Sequence, residues 1–138
     1  MEAEDQLEQI ADAVASLDRI GGEIATDALP GVLREARATA SAGTTPEGET
    51  WRPNKDGSAP LAKAASAISA VVSGTSKAVI TLVLSGVYVF HQRSKSRGKK
   101  GLPRREILEL NGVPQPIADV IAASARRVIT RAMQGGRR

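Results

Sequence analysis

With 138 residues, no cysteine and only Trp51, Tyr88 and Phe90 as aromatics, the chain has room for one domain and a modest aliphatic core; disulfides and thiolate metal sites are excluded. The formal net charge of +4 conceals a gradient: residues 1–35 carry nine acids and two bases, residues 36–90 three and five, and residues 91–138 three and twelve. An acidic end and a basic end allow the basic part to face a polyanion such as DNA, or the two ends of adjacent copies to meet head to tail in a ring.

The acidic start, Met1 to Asp5, is unlike a secretory signal. Leu7, Ile10, Val14, Leu17 and Ile24 recur at three-four spacing, which puts one apolar stripe on a helix from about Glu4 to Ile20. Glu2, Glu4 and Asp5 suit the positive end of its dipole. Gly21-Gly22 is expected to stop or kink it. A second helical stretch, about Glu23 to Ala40, contains Pro30, so a kink near Ala28 or a fresh helix at Pro30 is expected. Residues 1–42 thus form an N-terminal helical segment of the same domain.

Residues 43–60 read as a loop rich in Gly and Pro. Its lone Trp51 fits an anchor onto the core, with a binding hot spot as the alternative. Residues 61–138 are expected to hold the α+β core. Leu61 to Ala65 fit a short helical turn. Ile68–Ser73 and Lys77–Leu84 read as two strands of a small antiparallel sheet, turning through Ser73-Gly74-Thr75-Ser76. Val79, Thr81 and Val83 share one face of the second strand and Ile80, Leu82 and Leu84 the other. Such a strand is central, or is covered by helices on one side and by a partner on the other. The charge-free run Ala78 to Phe90 is thirteen residues where about twenty would span a bilayer, so the chain reads as soluble, with no membrane partner.

Tyr88-Val89-Phe90-His91-Gln92 looks like a strand ending in the chain's single histidine. His91 has no acid nearby in sequence and no second histidine, and reads as structural rather than catalytic or metal-binding. Arg93 to Arg105 holds seven bases and no acid in thirteen residues. Arg93, Lys95, Arg97, Lys99, Lys100 and Arg104 are the candidate contacts to DNA or to an adjoining ring; such a cluster binds phosphates without reading sequence, and no interleaved aromatics offer base stacking. Gly98-Lys99-Lys100-Gly101 lacks the spacing of a phosphate loop. Finally, Pro114 and Pro116 suit a helix start, Ile117, Val120, Ile121, Ala125, Val128, Ile129 and Ala132 form one apolar face, and Gly135-Gly136 ends the helix. No catalytic motif, cofactor site or metal site is legible.

Three short motifs in order carry a resemblance. Pro46-Glu47-Gly48-Glu49-Thr50-Trp51-Arg52-Pro53 resembles a Pro-x-Gly-x-x-Trp-x-Pro loop. Val87 to Gln92 resembles a strand ending in His-Gln. After the basic loop 93–101, Pro103-Arg104-Arg105-Glu106-Ile107-Leu108-Glu109-Leu110 resembles a Pro-x-Arg-x-Phe-Leu-Gly-Leu segment. With an acidic first helix and an amphipathic last one, the chain resembles the bacteriophage virion-morphogenesis family, the tail completion or head–tail neck proteins of Mu-like phages. It departs from that pattern at Arg93-Ser94, where a glycine usually follows His-Gln, and at Ile107 and Glu109, which replace the aromatic and the glycine. The resemblance implies a non-enzymatic α+β protein without cofactors that assembles in the host cytoplasm into a ring, of six copies, at the virion neck. Its implied partners are head-connector and tail-tube proteins, with non-specific contact to packaged double-stranded DNA. A tail terminator or head-side connector adaptor is the near alternative, and a small basic DNA-binding protein the distant one. Trp51, His91, Gln92, Pro103 and Arg105 are then candidate structural or interface residues, as are Leu7, Ile10, Val14 and Leu17, and Arg105 is expected to make a fixed hydrogen bond that shapes its loop.

Overall fold

Ala25, Ala28, Val32, Ala36 and Ala40 recur at steps of three and four, and all five are buried. They form the inner edge of one long helix, α1 (Glu2–Ser41), of 40 residues. A single 3-10 turn (Ala64–Ala67) leads into β1 (Ile68–Ser73), which pairs antiparallel with β2 (Val79–Leu84); α2 (Gln115–Gly135) follows. The computed structural model describes residues 2–52, 60–86, 88, 92, 105–108 and 112–135, save the side chains of residues 13, 14, 16 and 135. The fold is α+β, with α1 packed on one face of a small sheet and α2 packed on α1.

The two helices run antiparallel. Asp27 meets Arg127 and Arg131 at one end, and Gly31 meets Val120 further along. Gly31 is there for approach: a Cβ at that position would lie 2.7 Å from a Val120 methyl. On α2 the line facing α1 includes Val128 and a fully buried Ser124, whereas Ile129 and Ala132 of the expected apolar face are exposed.

The hairpin alternates as its sequence requires. Ile68, Ala70 and Val72 stand opposite Leu84, Leu82 and Ile80 on the covered face, and Ser69, Val71 and Ser73 stand opposite Val83, Thr81 and Val79 on the exposed one. Arg37 of α1 donates two hydrogen bonds, of 3.2 and 2.9 Å, to the Ile68 carbonyl and so ties the first strand residue to the helix. The core gathers Ala36, Ala40, Trp51, Ala64, Ile68 and Ile107, with Leu33, Leu61, Leu82, Leu84, Tyr88 and Leu108 packed around it.

Several sequence expectations are corrected. Gly21-Gly22 does not stop α1; the helix runs on through them, and the glycines serve a contact. The hairpin turn lies directly on them: the Gly22 N–H donates to the Thr75 carbonyl at 2.6 Å, and a Cβ on Gly21 would fall 2.4 Å from the Ser76 carbonyl oxygen. Pro30 starts no new helix, since it lies inside α1. Both Pro30 and Thr26, whose carbonyl loses its partner, are exposed, so water can satisfy that group while buried alanines on either side hold the helix together. β2 begins at Val79 rather than Lys77 because the turn takes five residues, Gly74 to Ala78, with Gly74 at φ 86°. Among the described residues β2 pairs only with β1, so it is not a central strand. The helical turn expected at Leu61 to Ala65 sits at Ala64–Ala67. Tyr88 and Gln92, expected in a strand, are helical.

Candidate assembly surfaces

Two distant stretches, residues 51–52 and Gln92, meet at residues 105–108. The Trp51 indole is buried, and its Nε1–H donates to the Glu106 carbonyl at 2.8 Å, so the tryptophan anchors its loop. One residue away, Arg105 is buried and its Nε–H donates to the Arg52 carbonyl at 3.0 Å. Burial of the guanidinium, and then the charge of Arg52, pull its pKa below the ordinary arginine value.

From the other side comes Gln92, also buried. Its Oε1 accepts from the N–H of Ile107 at 2.6 Å and of Leu108 at 2.9 Å, and its Nε2–H donates to the Leu108 carbonyl at 2.9 Å. One side-chain amide thus satisfies the backbone of residues 107–108 as a neighbouring strand would. Sequence reading marked Trp51, Gln92 and Arg105 one by one but missed that they converge on one segment, because nothing local encodes a partner 16 or 55 residues away. His91, Arg93, Lys95, Arg97, Lys99, Lys100, Pro103 and Arg104 lie outside the described residues, and so does the Val14 side chain.

The second surface is the first half of α1. Leu7, Ile10 and Leu17 are 66%, 59% and 62% exposed. The apolar stripe that α1 buries from Ala25 to Ala40 therefore continues bare along an arm reaching beyond the rest of the fold. Helical periodicity places Glu4 and Asp18 beside this stripe and Asp5, Glu8 and Asp12 behind it. Residues 2–20 carry six acids and one base.

The third surface is the back of α2. Arg126, Ile129 and Met133 are exposed and lie at i, i+3 and i+7, opposite the buried Ser124 and Val128. Neighbouring cations are engaged: Arg127 pairs with Asp27 at 2.7 Å and Arg131 with the same carboxylate at 3.0 Å. The Arg127 hydrogen bond, assisted by Ser124, holds the Asp27 pKa below its ordinary value against a smaller opposing effect of desolvation. Arg126 makes no ion pair among the described residues.

A cleft of about 400 Å³ lies between α1, β2 and the start of α2, lined by Val32, Ile80, Leu82, Ile107, Ile117 and Ile121 among others. Among the described residues its lining is mostly apolar, with the hydroxyls of Thr39 and Thr81 and the carboxylate of Glu35. Among the described residues no group of three or more His, Asp or Glu could hold a metal ion, and no helix is long and apolar enough to cross a membrane. Compared with known protein families, curated proteins and solved structures, the chain matches none.

Proposed function

We propose that this chain is a structural protein of a tailed-phage virion: a tail completion or neck protein that closes into a ring between the DNA-filled head and the tail. The observation that carries the reading is the arm, where an apolar stripe continuous with the buried face of α1 stands uncovered. A helix with this much bare apolar surface is built to be covered by a partner. Two further points support the reading. The Trp loop, the His-Gln motif and the Pro-x-Arg segment, which carry the resemblance, meet through the hydrogen bonds of Trp51, Gln92 and Arg105. Moreover, the charge gradient suits head-to-tail contacts between identical subunits.

In this reading the work is mechanical. Arg93, Lys95, Arg97, Lys99 and Lys100 face the ring lumen or an adjoining ring and neutralise phosphates or acidic side chains there. The test is an assembly assay in a phage carrying this chain. Inactivating it is expected to leave filled heads and finished tails that do not join, and supplying the chain in trans restores joining. Replacing the five cations by Ser reproduces the defect or releases packaged DNA. Overlong tails would point instead to a tail terminator, and normal virions from the inactivated phage overturn the reading.

A further inference from the structure

We infer that the acidic arm of one copy docks on the back of α2 in the next copy, apolar stripe against apolar stripe; the inference rests on the ring reading and names the two surfaces that would close it. The arm offers Leu7, Ile10 and Leu17, and α2 offers Ile129 and Met133, which are 43% and 65% exposed. Both stripes recur along their helices at three-four spacing, so they can pack as ridges in grooves.

Charge selects the occupant. Two arms laid together would each bring six acids against one base, and like charges along a helix pair disfavour that pairing. The back of α2 instead presents Arg126, without an ion-pair partner among the described residues, between Ile129 and the start of the helix. Glu4 and Asp18 border the arm's stripe about 21 Å apart along the helix, so one of them meets Arg126: Asp18 if the two helices lie antiparallel, Glu4 if they lie parallel. The exposed face of the hairpin also carries valines, Val71, Val79 and Val83, but its other members are Ser69, Ser73 and Thr81, so it holds no cation to answer the arm. The arm and the α2 face are different patches of one chain, so the contact is heterologous, and repeating it generates a ring or a filament rather than a closed dimer.

Sedimentation velocity on the full chain over a concentration series tests the docking. An arm variant (Ile10→Asp with Leu17→Asp) and a face variant (Ile129→Asp with Met133→Asp) are each expected to associate at least tenfold more weakly than the wild type, with unchanged circular dichroism. Mixed together, they retain one intact arm and one intact face and are expected to form a 1:1 complex that grows no further. Arg126→Glu weakens association, and adding one of Glu4→Lys and Asp18→Lys, the one that faces residue 126, restores it, while the other does not. Loss in the arm variant alone means that arms pair with arms or bind another protein, and overturns the docking. So does a mixture that stays monomeric, or a pair of variants that assemble like the wild type. If the wild type itself assembles in that last case, the ring reading stands and only the docked surfaces are wrong. A wild type that stays monomeric overturns the docking in solution, while the fate of the neck reading is decided separately by the virion assay.

Discussion

Gln92 uses both ends of its amide on one stretch of backbone, and the Ile107 N–H that it receives is buried. Gln92→Leu removes three hydrogen bonds and leaves that donor unpaired, a loss of about 2–4 kcal/mol in stability by urea denaturation. Gln92→Glu keeps an acceptor for both N–H groups but buries a charge and sets a carboxylate oxygen against the Leu108 carbonyl, and is expected to lose at least as much at neutral pH. A Gln92→Leu midpoint equal to the wild type would mean that packing alone holds residues 107–108. Asp27 gives a second handle, in pH. Its pKa is lowered in the folded state chiefly by the Arg127 hydrogen bond, so its stabilising contribution is complete above the ordinary aspartate value of 3.8 and is lost as pH falls through the lowered folded value. Asp27→Asn is therefore expected to lower the melting temperature at pH 7 and to flatten the acid limb of the stability curve. An unchanged acid limb would show that other carboxylates govern it. At this scale the sequence names the residues but not their partners: a lone tryptophan reads as an anchor, yet nothing in residues 43–60 points to the Glu106 carbonyl.

Helix α1 and the hairpin are joined through glycines, and here local pattern and tertiary contact give opposite answers. Gly21-Gly22 reads as a helix stop, because glycine costs about 1 kcal/mol relative to alanine in a helix interior. In the fold the pair is a seat for Thr75 and Ser76. Gly21→Ala brings that propensity gain, but it also puts a methyl 2.4 Å from a backbone oxygen that cannot rotate away. The clash wins: a net loss of about 1–3 kcal/mol is expected, with the Gly22-to-Thr75 hydrogen bond exchanging faster with solvent. A stabilised Gly21→Ala variant would mean that the turn is free to lift off the helix. The hairpin itself was legible, as β-branched alternation and Gly74 mark both strands and the turn between them. The run through Pro30 was not, because propensity sees the missing N–H but not the exposed side on which Thr26 is left to water. Likewise the three-four spacing of the arm was legible, whereas its exposure depends on where α2 ends.

At the scale of the whole molecule, the arm and the body carry opposite charge, and among the described residues nothing covers Leu7, Ile10 and Leu17 of the arm's stripe. Residues Glu2 to Ile20 extend about 28 Å as a helix, and all of their described side chains are exposed or, at Ile20, only partly covered. The arm therefore adds little to the stability of the body. Removing residues 2–18 is expected to move the melting temperature of dilute protein by less than about 3 °C, the shift caused by 1 kcal/mol in a domain of this size. The same deletion abolishes self-association, because it takes away one of the two surfaces that meet. Salt separates the two forces in that contact. Sodium chloride at about 0.5 M screens rim charges that act freely at about 0.05 M, removing about 1 kcal/mol of ion pairing and weakening association about fivefold. The apolar stripe persists at both salt levels, and added sulfate strengthens it. Association that ignores sodium chloride would place Arg126 and the arm's acids outside the contact. A body that melts far earlier without its arm would mean that the stripe is covered from within the chain.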